Sequence, residues 1–367
     1  MVIFLFFVLI CMTLKFNANN INNNSNNNLL ITKKNVILGV IINYNWTKIA
    51  PFFISFKEAR FKNCDCVMFV EGLSQNTINK IESFNVKIIK IKRTIKARVI
   101  NYRHKLYEEF LRNNIDKYRL VLSIDVRDSF FQKDIFEYYK NIKSFLSLSL
   151  EDGYLSHPIN KLWVTKAFGF NVYNAIKNER IICGGTILGS LDKFIEFSSI
   201  IWKIMNQSNN SREKWIDQAV INYLIYYKKL FVNDTILRNE NKDSPFLTIG
   251  ISKPESFMFD LEDNILNIKG KIPAVIHQYD RHKKILIKVL KKFSNNLTEE
   301  NGDKNQIGYK NYNNNIYLTK NLFLKLYFIF LLYISILLII LLYKLEKKNS
   351  LNKKKKNLKY DLIKLEK

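Results

Sequence analysis

The sequence predicts an α/β domain with a mostly parallel central sheet and helices on both of its faces. Two observations lead there. Apolar runs of strand length alternate with stretches of helical period along the middle of the chain. The runs are also continuous, as in strands buried on both faces, and strand–helix alternation is the pattern of βαβ units. The first run, NVILGVIINY at 35–44, is rich in β-branched residues and is followed by an amphipathic stretch to about Phe61. DCVMFVEG (65–72) and VKIIKI (86–91) are the next strands, and residues 95–114 place Val99, Tyr102, Leu106 and Phe110 along one helical stripe. YRLVLSID (118–125) is again a buried strand. Beyond it the pattern is less regular: strands are expected at 143–152, 180–190 and 272–280, and helices at 191–205 and 214–227. No internal repeat is visible, so residues 33–293 are expected to form one domain.

At roughly 100 to 200 residues per domain, 367 residues are enough for an enzyme. The formal charge of +26 comes mostly from lysines scattered among Asn and Ile. Such a dispersed excess is not a clustered patch, so no nucleic acid is expected as a partner. Asn-rich segments at 19–32 and 294–321 bracket the domain as a linker and a stem, because such tracts cannot build a core. Residues 1–18 hold a short apolar run, Val2 to Leu14, expected to be a signal peptide or an uncleaved signal anchor. Residues 322–343 contain an uncharged apolar run, Leu326 to Tyr343, near the roughly 18 residues of a membrane span. The Lys-rich tail, 344–367, belongs in the cytosol by the positive-inside rule. The expectation is a single-pass protein of a secretory-pathway membrane, Golgi or ER, anchored by its C-terminal helix with the domain in the lumen. Sequons at Asn45, Asn206, Asn209, Asn233 and Asn296 agree, but an Asn-rich chain produces them by chance. Three cysteines, Cys64, Cys66 and Cys183, lie in the domain. They suggest a disulfide to Cys183, because a metal on the Cys-Asp-Cys sequence would need two further ligands that are not evident.

The chemistry concentrates in VLSIDVRDSFFQ, residues 121–132. In parallel sheets ligands bind beyond the carboxyl ends of the strands, and Asp125 and Asp128 follow the strand at that end. Two carboxylates in a tight turn offer hard oxygen ligands to Mn²⁺ or Mg²⁺, and such an ion can hold a diphosphate. A solvated turn with Arg127 satisfying the acids is the simpler reading of the turn alone.

The longer stretch LSIDVRDSFFQKDIF resembles the D-x-D-type segment of metal-dependent glycosyltransferases with the GT-A nucleotide-diphospho-sugar transferase fold. The likeness is to members with a D-x-R-D-x-x-F-Q string followed by Asp-Pro-Phe, with Ile135 in place of the proline. CGGTILGS (183–190) is similar to the small-residue strand that lines the donor sugar in that family, often written N-S-G, although Cys183 and Gly184 replace the usual Asn and Ser. WIDQAVINYLIY (215–226) is similar to its D-Q helix, and VIHQYDRH (275–282) to its late His motif. Four elements in the family's order cover most of residues 36–285.

The resemblance implies a role for each matched residue. Asp125, Asp128 and His277 would bind the metal, with His277 as a neutral imidazole ligand. Arg281 and His282 would hold the diphosphate, and Gly184 and Gly185 would line the sugar. Asp217 and Gln218 would orient the sugar at the reacting centre, although Asp217 also suits the first turn of a helix. Arg98 and Arg103 are candidates for the nucleotide phosphates; five residues apart, they point in different directions, and Arg103 is preferred. Tyr44 and Asn45 fall where the base would stack, or are simply a strand end. The expected activity is transfer of a sugar from a nucleotide-sugar donor, a UDP-sugar for preference, to a glycan, protein or lipid acceptor. A recognition or adhesion ectodomain that kept the fold and lost turnover is the second reading, and the intact metal set argues against it. A phosphohydrolase or nucleotidyltransferase would show more clustered acids or a basic phosphate loop.

Overall fold

A computed structural model describes residues 33–92, 99–207, 216–231, 236–294, 330–335 and 337. The chain divides into two units, Met1–Thr298 and Glu299–Lys367. The first unit runs β1 (Lys34–Ile42), α1 (Trp46–Glu58), β2 (Cys64–Glu71), α2 (Gln75–Glu82), β3 (Lys87–Lys90), α3 (Val99–Arg112), β4 (Tyr118–Ile124) and β5 (Ser129–Phe131). It continues with β6 (Leu146–Tyr154), α4 (Pro158–Ile176), β7 (Arg180–Ser190), α5 (Leu191–Gln207), α6 (Ile216–Asn222), β8 (Ile236–Asn239) and β9 (Phe246–Thr248). The last elements are β10 (Phe257–Phe259), β11 (Ile265–Asn267), β12 (Val275–His277) and α7 (Lys283–Ser294).

Seven strands form the main sheet in the order β3-β2-β1-β4-β7-β6-β8. Every neighbouring pair is parallel except β4·β7 and β6·β7, so β7 alone runs backwards and the sheet is mixed but mostly parallel. The reversal has a local cause. Tyr154 at the end of β6 faces Arg180 at the start of β7, and the Leu155 and Ser156 N–H groups donate to the Glu179 and Lys177 carbonyls. Helix α4 is thus inserted at the tip of a β-hairpin, and a hairpin can only be antiparallel.

The apolar runs place alternate residues on opposite faces. Val36, Leu38, Val67, Phe69 and Val121 join Tyr107 and Phe110 of α3 and Phe194, Phe197 and Ile201 of α5 in one core. Ile37, Ile41, Met68, Val70, Leu120 and Leu122 pack against Ile49, Phe52 and Phe53 of α1 and Ile81 of α2 in the other. Both faces are therefore covered by helices, as continuous apolar strands require. A second, three-stranded sheet of order β5-β12-β9 lies beyond the end of β4, and β10 and β11 form a two-stranded sheet among the described residues.

Three expectations change. The helix expected over 214–227 is described from Ile216, is α-helical only to Asn222, and continues as a π-helical turn over Tyr223–Tyr227. The strand expected over 272–280 is confined to β12 and stops where Gln278 turns left-handed at φ 61°. The disulfide is absent: Cys64, Cys66 and Cys183 are all free thiols. Strands β2 and β7 are separated by β1 and β4, three inter-strand steps or about 14 Å, twice the reach of a disulfide. Dithiothreitol is accordingly expected to leave the midpoint of thermal unfolding unchanged; a fall of several degrees on reduction would reveal a stabilising bridge.

No helix among the described residues is long and apolar enough to cross a membrane. Most of the segment 322–343 lies outside the described residues, as do 1–32, 295–329 and 344–367; residues 330–335 and 337 are helical.

Candidate functional site

The site is made where the chain leaves the main sheet. Pairing of β4 with β7 ends with Ile124 opposite Thr186, and one residue later the Asp125 N–H donates to the Gly185 carbonyl at 2.9 Å. The chain then crosses to the second sheet, where β5 pairs antiparallel with β12 and Ser129 faces His277. The Gln278 N–H closes the crossing on the Asp128 carbonyl at 2.7 Å. This passage between sheets brings Asp125, Asp128 and His277 together at the carboxyl end of β4.

The two carboxylates are disposed alike. Asp125 Oδ1 accepts from Arg103 Nη1 at 2.6 Å, and its Oδ2 turns toward His277 Nε2 at 3.7 Å. Asp128 Oδ2 accepts from Arg127 Nη2 at 2.9 Å and pairs with Arg281 Nη2 at 3.3 Å, and its Oδ1 turns toward the same Nε2 at 3.7 Å. Each acid thus has one oxygen held by arginine and one left facing the histidine. His277 Nε2 is buried with no hydrogen-bond partner among the described residues. The free ligand atoms of the three residues lie within 4.8 Å of one another.

The electrostatics match this geometry. Burial works against charge on Asp125, but Arg103 and His277 outweigh it and hold the carboxyl below its ordinary range. At Asp128 burial dominates and pushes the carboxyl up, helped by the neighbouring Asp125 charge. Burial disfavours a charged His277, yet Cys183 and the two aspartates push its imidazole well above its ordinary value. A site that draws a proton so strongly to one nitrogen also draws a cation, which would relieve the repulsion between the acids. An unpartnered imidazole nitrogen, two carboxylate oxygens and the gap between them fit Mn²⁺ or Mg²⁺. Gly185 preserves that gap: a Cβ there would stand 2.5 Å from His277 Nε2 and 2.7 Å from Asp125 Oδ2.

Behind the ligand set lies a second layer centred on Arg103. Its Nη2 donates at 2.6 Å both to the Gly184 carbonyl and to Asp217 Oδ2. One guanidinium therefore joins α3, β4, β7 and α6. Asp217 Oδ1 accepts from the Gln218 N–H at 2.8 Å, and the whole Asp217 residue is only 2 % exposed. Gln218 Oε1 accepts from the Gly184 N–H at 3.1 Å, while its Nε2 donates to Asn160 Oδ1 at 3.0 Å and Glu151 Oε1 at 3.4 Å. One turn later, Asn222 exchanges two hydrogen bonds of 2.9 Å with the Ile182 backbone. Both ends of Asp217 and of Gln218 are thus committed within the protein. His104, also buried, has its Nε2 4.0 Å from Asp217 Oδ2, and burial pushes its imidazole well below its ordinary value.

The remaining expected residues fall in different places. Tyr44 is half-buried beside the acidic turn; burial pushes its hydroxyl up, with Arg127 opposing. Asn45 is exposed just before α1 and accepts from Thr47 Oγ1 at 3.0 Å. Arg281 reaches Asp128, but His282 bonds to the Ile249 carbonyl and packs edge-on against Phe257, so the structure does not bring its ring to the ligand set. Arg98 lies outside the described residues.

His104, Glu151, Asn160 and Asn222 are the polar neighbours that sequence reasoning did not place, whereas Arg127 sits on Asp128 as the simpler reading of the turn had it. Asn222 had a signal: it lies four residues after Gln218 in an apolar helix, which puts both on one face. Glu151 had a fainter one, as an acid at the end of an apolar strand.

No family model matches the chain, and no curated protein matches it. Solved structures do. The galactosyltransferase LgtC in complex with donor and acceptor sugar analogs is similar at 12 % identity and a TM-score of 0.46, over 73 % of this chain and 98 % of that one. An active-site mutant of LgtC is similar at 12 % identity and a TM-score of 0.47, over the same shares of the two chains.

Proposed function

We propose that this chain is a metal-dependent glycosyltransferase of the GT-A type, moving a sugar from a nucleotide-sugar donor, a UDP-sugar for preference, to a glycan, protein or lipid acceptor. The observation that carries the reading is the convergence at one point of four separated sequence elements. D-x-R-D supplies Asp125 and Asp128, the late His motif supplies His277, the small-residue strand supplies Gly185, and the D-Q helix is tied to all of them through Arg103. A bound divalent cation would neutralise charge growing on the departing diphosphate.

The protein's own residues prepare that step. Asp125, Asp128 and His277 hold the cation. Arg127 and Arg281, each about one-third exposed beside Asp128, can turn toward phosphate oxygens as well as toward the acid. Arg103, with both terminal nitrogens committed and only 4 % exposed, fixes Asp125 in place and leaves phosphate binding to those two arginines. Asp217 positions Arg103; Gln218 presents the Gly184–Gly185 backbone to the sugar. Tyr44, at the mouth of the site, is the candidate for the base. The segment 322–343 would tether the domain on the lumenal side of a Golgi or ER membrane, with the tail in the cytosol.

The test is Mn²⁺-dependent binding and hydrolysis of a panel of UDP- and GDP-sugars by the full-length protein, beside Asp128→Asn. Metal-dependent turnover of one donor, lost in the variant, is expected. If a folded sample binds no donor with or without metal, the transferase reading falls.

A further inference from the structure

A second cluster of charge lies at the opposite end of the main sheet from the ligand set. A cleft of about 380 Å³ opens where β1, β2, β4 and β6 begin, lined among others by Lys33, Asn35, Asn63, Arg119, Lys140 and Lys143, and no carboxylate is among its described lining residues. Its size is that of a small-ligand site, about 300–1,000 Å³. Arg119 stands six residues before Asp125 along β4, about 20 Å of extended strand, so the cleft is separate from the transfer site. We propose that this cleft binds a phosphate monoester, carried by a sugar or by a lipid headgroup.

The cleft has two walls, each fixed by backbone contacts. On one, the Asn35 N–H donates to the Asn63 carbonyl at 2.9 Å, and Asn63 Nδ2 donates to the Lys33 carbonyl at 3.2 Å. On the other, Arg119 Nη1 donates to the Lys140 carbonyl at 2.7 Å, which holds the guanidinium against the 140–143 segment. The charges here are not balanced. Lys140 pairs with Glu137 at 3.2 Å, and Asp65, the acid nearest in β2, is taken by Lys34 and Lys117 at 2.9 and 2.6 Å. Lys33, Arg119 and Lys143 pair with no acid among the described residues, and burial pushes the Arg119 guanidinium down with no acid opposing it. Asn35 points to a ligand independently. It is only 9 % exposed, and neither end of its amide has a hydrogen-bond partner among the described residues. A buried amide is costly to leave unpaired, and a ligand in the cleft would complete this one. Three unpaired cations, one of them a forked guanidinium, and an amide NH₂ on two facing walls suit an anion with several oxygens. A phosphate monoester meets them with three oxygens and a charge of about −1.5 to −2 at pH 7, whereas a carboxylate brings two oxygens and a single charge. Lys33, Arg119 and the 140–143 segment are far apart in the chain, so no run of charge marks the cleft in the sequence.

This site does not depend on the transferase reading. The test is calorimetric titration of the full-length protein with glucose 6-phosphate, with glucose as the uncharged control, in EDTA and at about 0.15 M salt, where attraction to scattered surface lysines is screened. Cosedimentation with phosphatidylcholine vesicles, with and without phosphatidylinositol 4-phosphate, reads the lipid-borne source. Glucose is expected not to bind, and plain vesicles are expected to capture less protein than phosphoinositide vesicles if the headgroup is the ligand. Affinity for the phosphate probe that binds is expected to fall about 10-fold or more in Arg119→Gln and in the double variant Lys33→Gln, Lys143→Gln, and to stay within about threefold in Arg281→Gln at the transfer site. The two lysines are half-buried and exposed, so their variant keeps the result readable if Arg119→Gln loosens β4. Binding of glucose 6-phosphate identifies a soluble sugar phosphate, and a response to phosphoinositide vesicles alone identifies a headgroup; either supports the site. A folded sample that binds neither probe overturns it, as does binding that the Arg119 and lysine variants leave unchanged or that only Arg281→Gln weakens.

Discussion

Replacing Arg103 with methionine is expected to destabilise the protein by about 3–5 kcal/mol, the cost of leaving a buried charge without its partner. The effect is concentrated at one residue. Asp217 is 2 % exposed and receives Arg103 at 2.6 Å, whereas the Asp125 side chain is 34 % exposed and can recover hydration when the guanidinium is removed. Methionine keeps the apolar stem and removes five donors, so the loss measures charge pairing and not a cavity. Urea unfolding should show a lower midpoint with an unchanged slope. Adding Asp217→Asn to the methionine variant removes the stranded charge and should restore part of the loss, a non-additivity expected of residues in one network. A single variant within about 1 kcal/mol of the wild type would mean that water reaches Asp217 and that Arg103 does not join the four elements.

How far the site could be read in advance follows the same division between local and assembled features. β1, β2 and β4 were legible because a strand covered on both faces must be apolar at successive positions, and no other local constraint competes. β5 and β9 have three residues each, too short to show a period, yet with β12 they form the sheet that carries His277 to the aspartates. The reversed direction of β7 was hidden for another reason. Helical segments over Pro158–Ile176, broken by a kink at Gly169, stand at the tip of its hairpin, and no helix was expected there, so the close antiparallel pairing of two strands so far apart in sequence left no local signal. Asp125, Asp128 and His277 could be singled out only through the resemblance of the motifs they sit in, since the turn alone reads more simply as solvated acids. The role of Arg103 could not, because a guanidinium bridging four elements depends on contacts 22 to 114 residues apart. For His282 the resemblance implied a place on the diphosphate beside Arg281, whereas a left-handed Gln278 with the turn after it carries the ring to the Ile249 carbonyl.

Gly185→Ala is expected to abolish Mn²⁺ binding while Gly184→Ala leaves it nearly intact, and the contrast between neighbours makes the pair informative. A methyl group at 185 would stand 2.5 Å from His277 Nε2 and 2.7 Å from Asp125 Oδ2, closer than real Cβ contacts come. It would occupy the gap that the three ligand atoms enclose. Relief is not available from the flanks, since Asp125 is tied to Arg103 and its N–H to the Gly185 carbonyl, and His277 lies in a paired strand. At 184 the nearest atoms to a new methyl are Gln218 Cα and Cβ at 3.5 Å and Arg103 Nη2 at 3.6 Å, ordinary van der Waals contacts. Both strand positions have extended backbone that alanine adopts freely, so conformational strain does not separate the two variants. Metal affinity by calorimetry, with circular dichroism to confirm the fold, is the measurement. A loss of about 100-fold or more at 185, at least 2.7 kcal/mol of binding, against little change at 184 would locate the cation between His277 and the two aspartates. Equal affinity in both variants would place any bound metal elsewhere, and the space beside Gly185 would then serve only to seat the histidine ring.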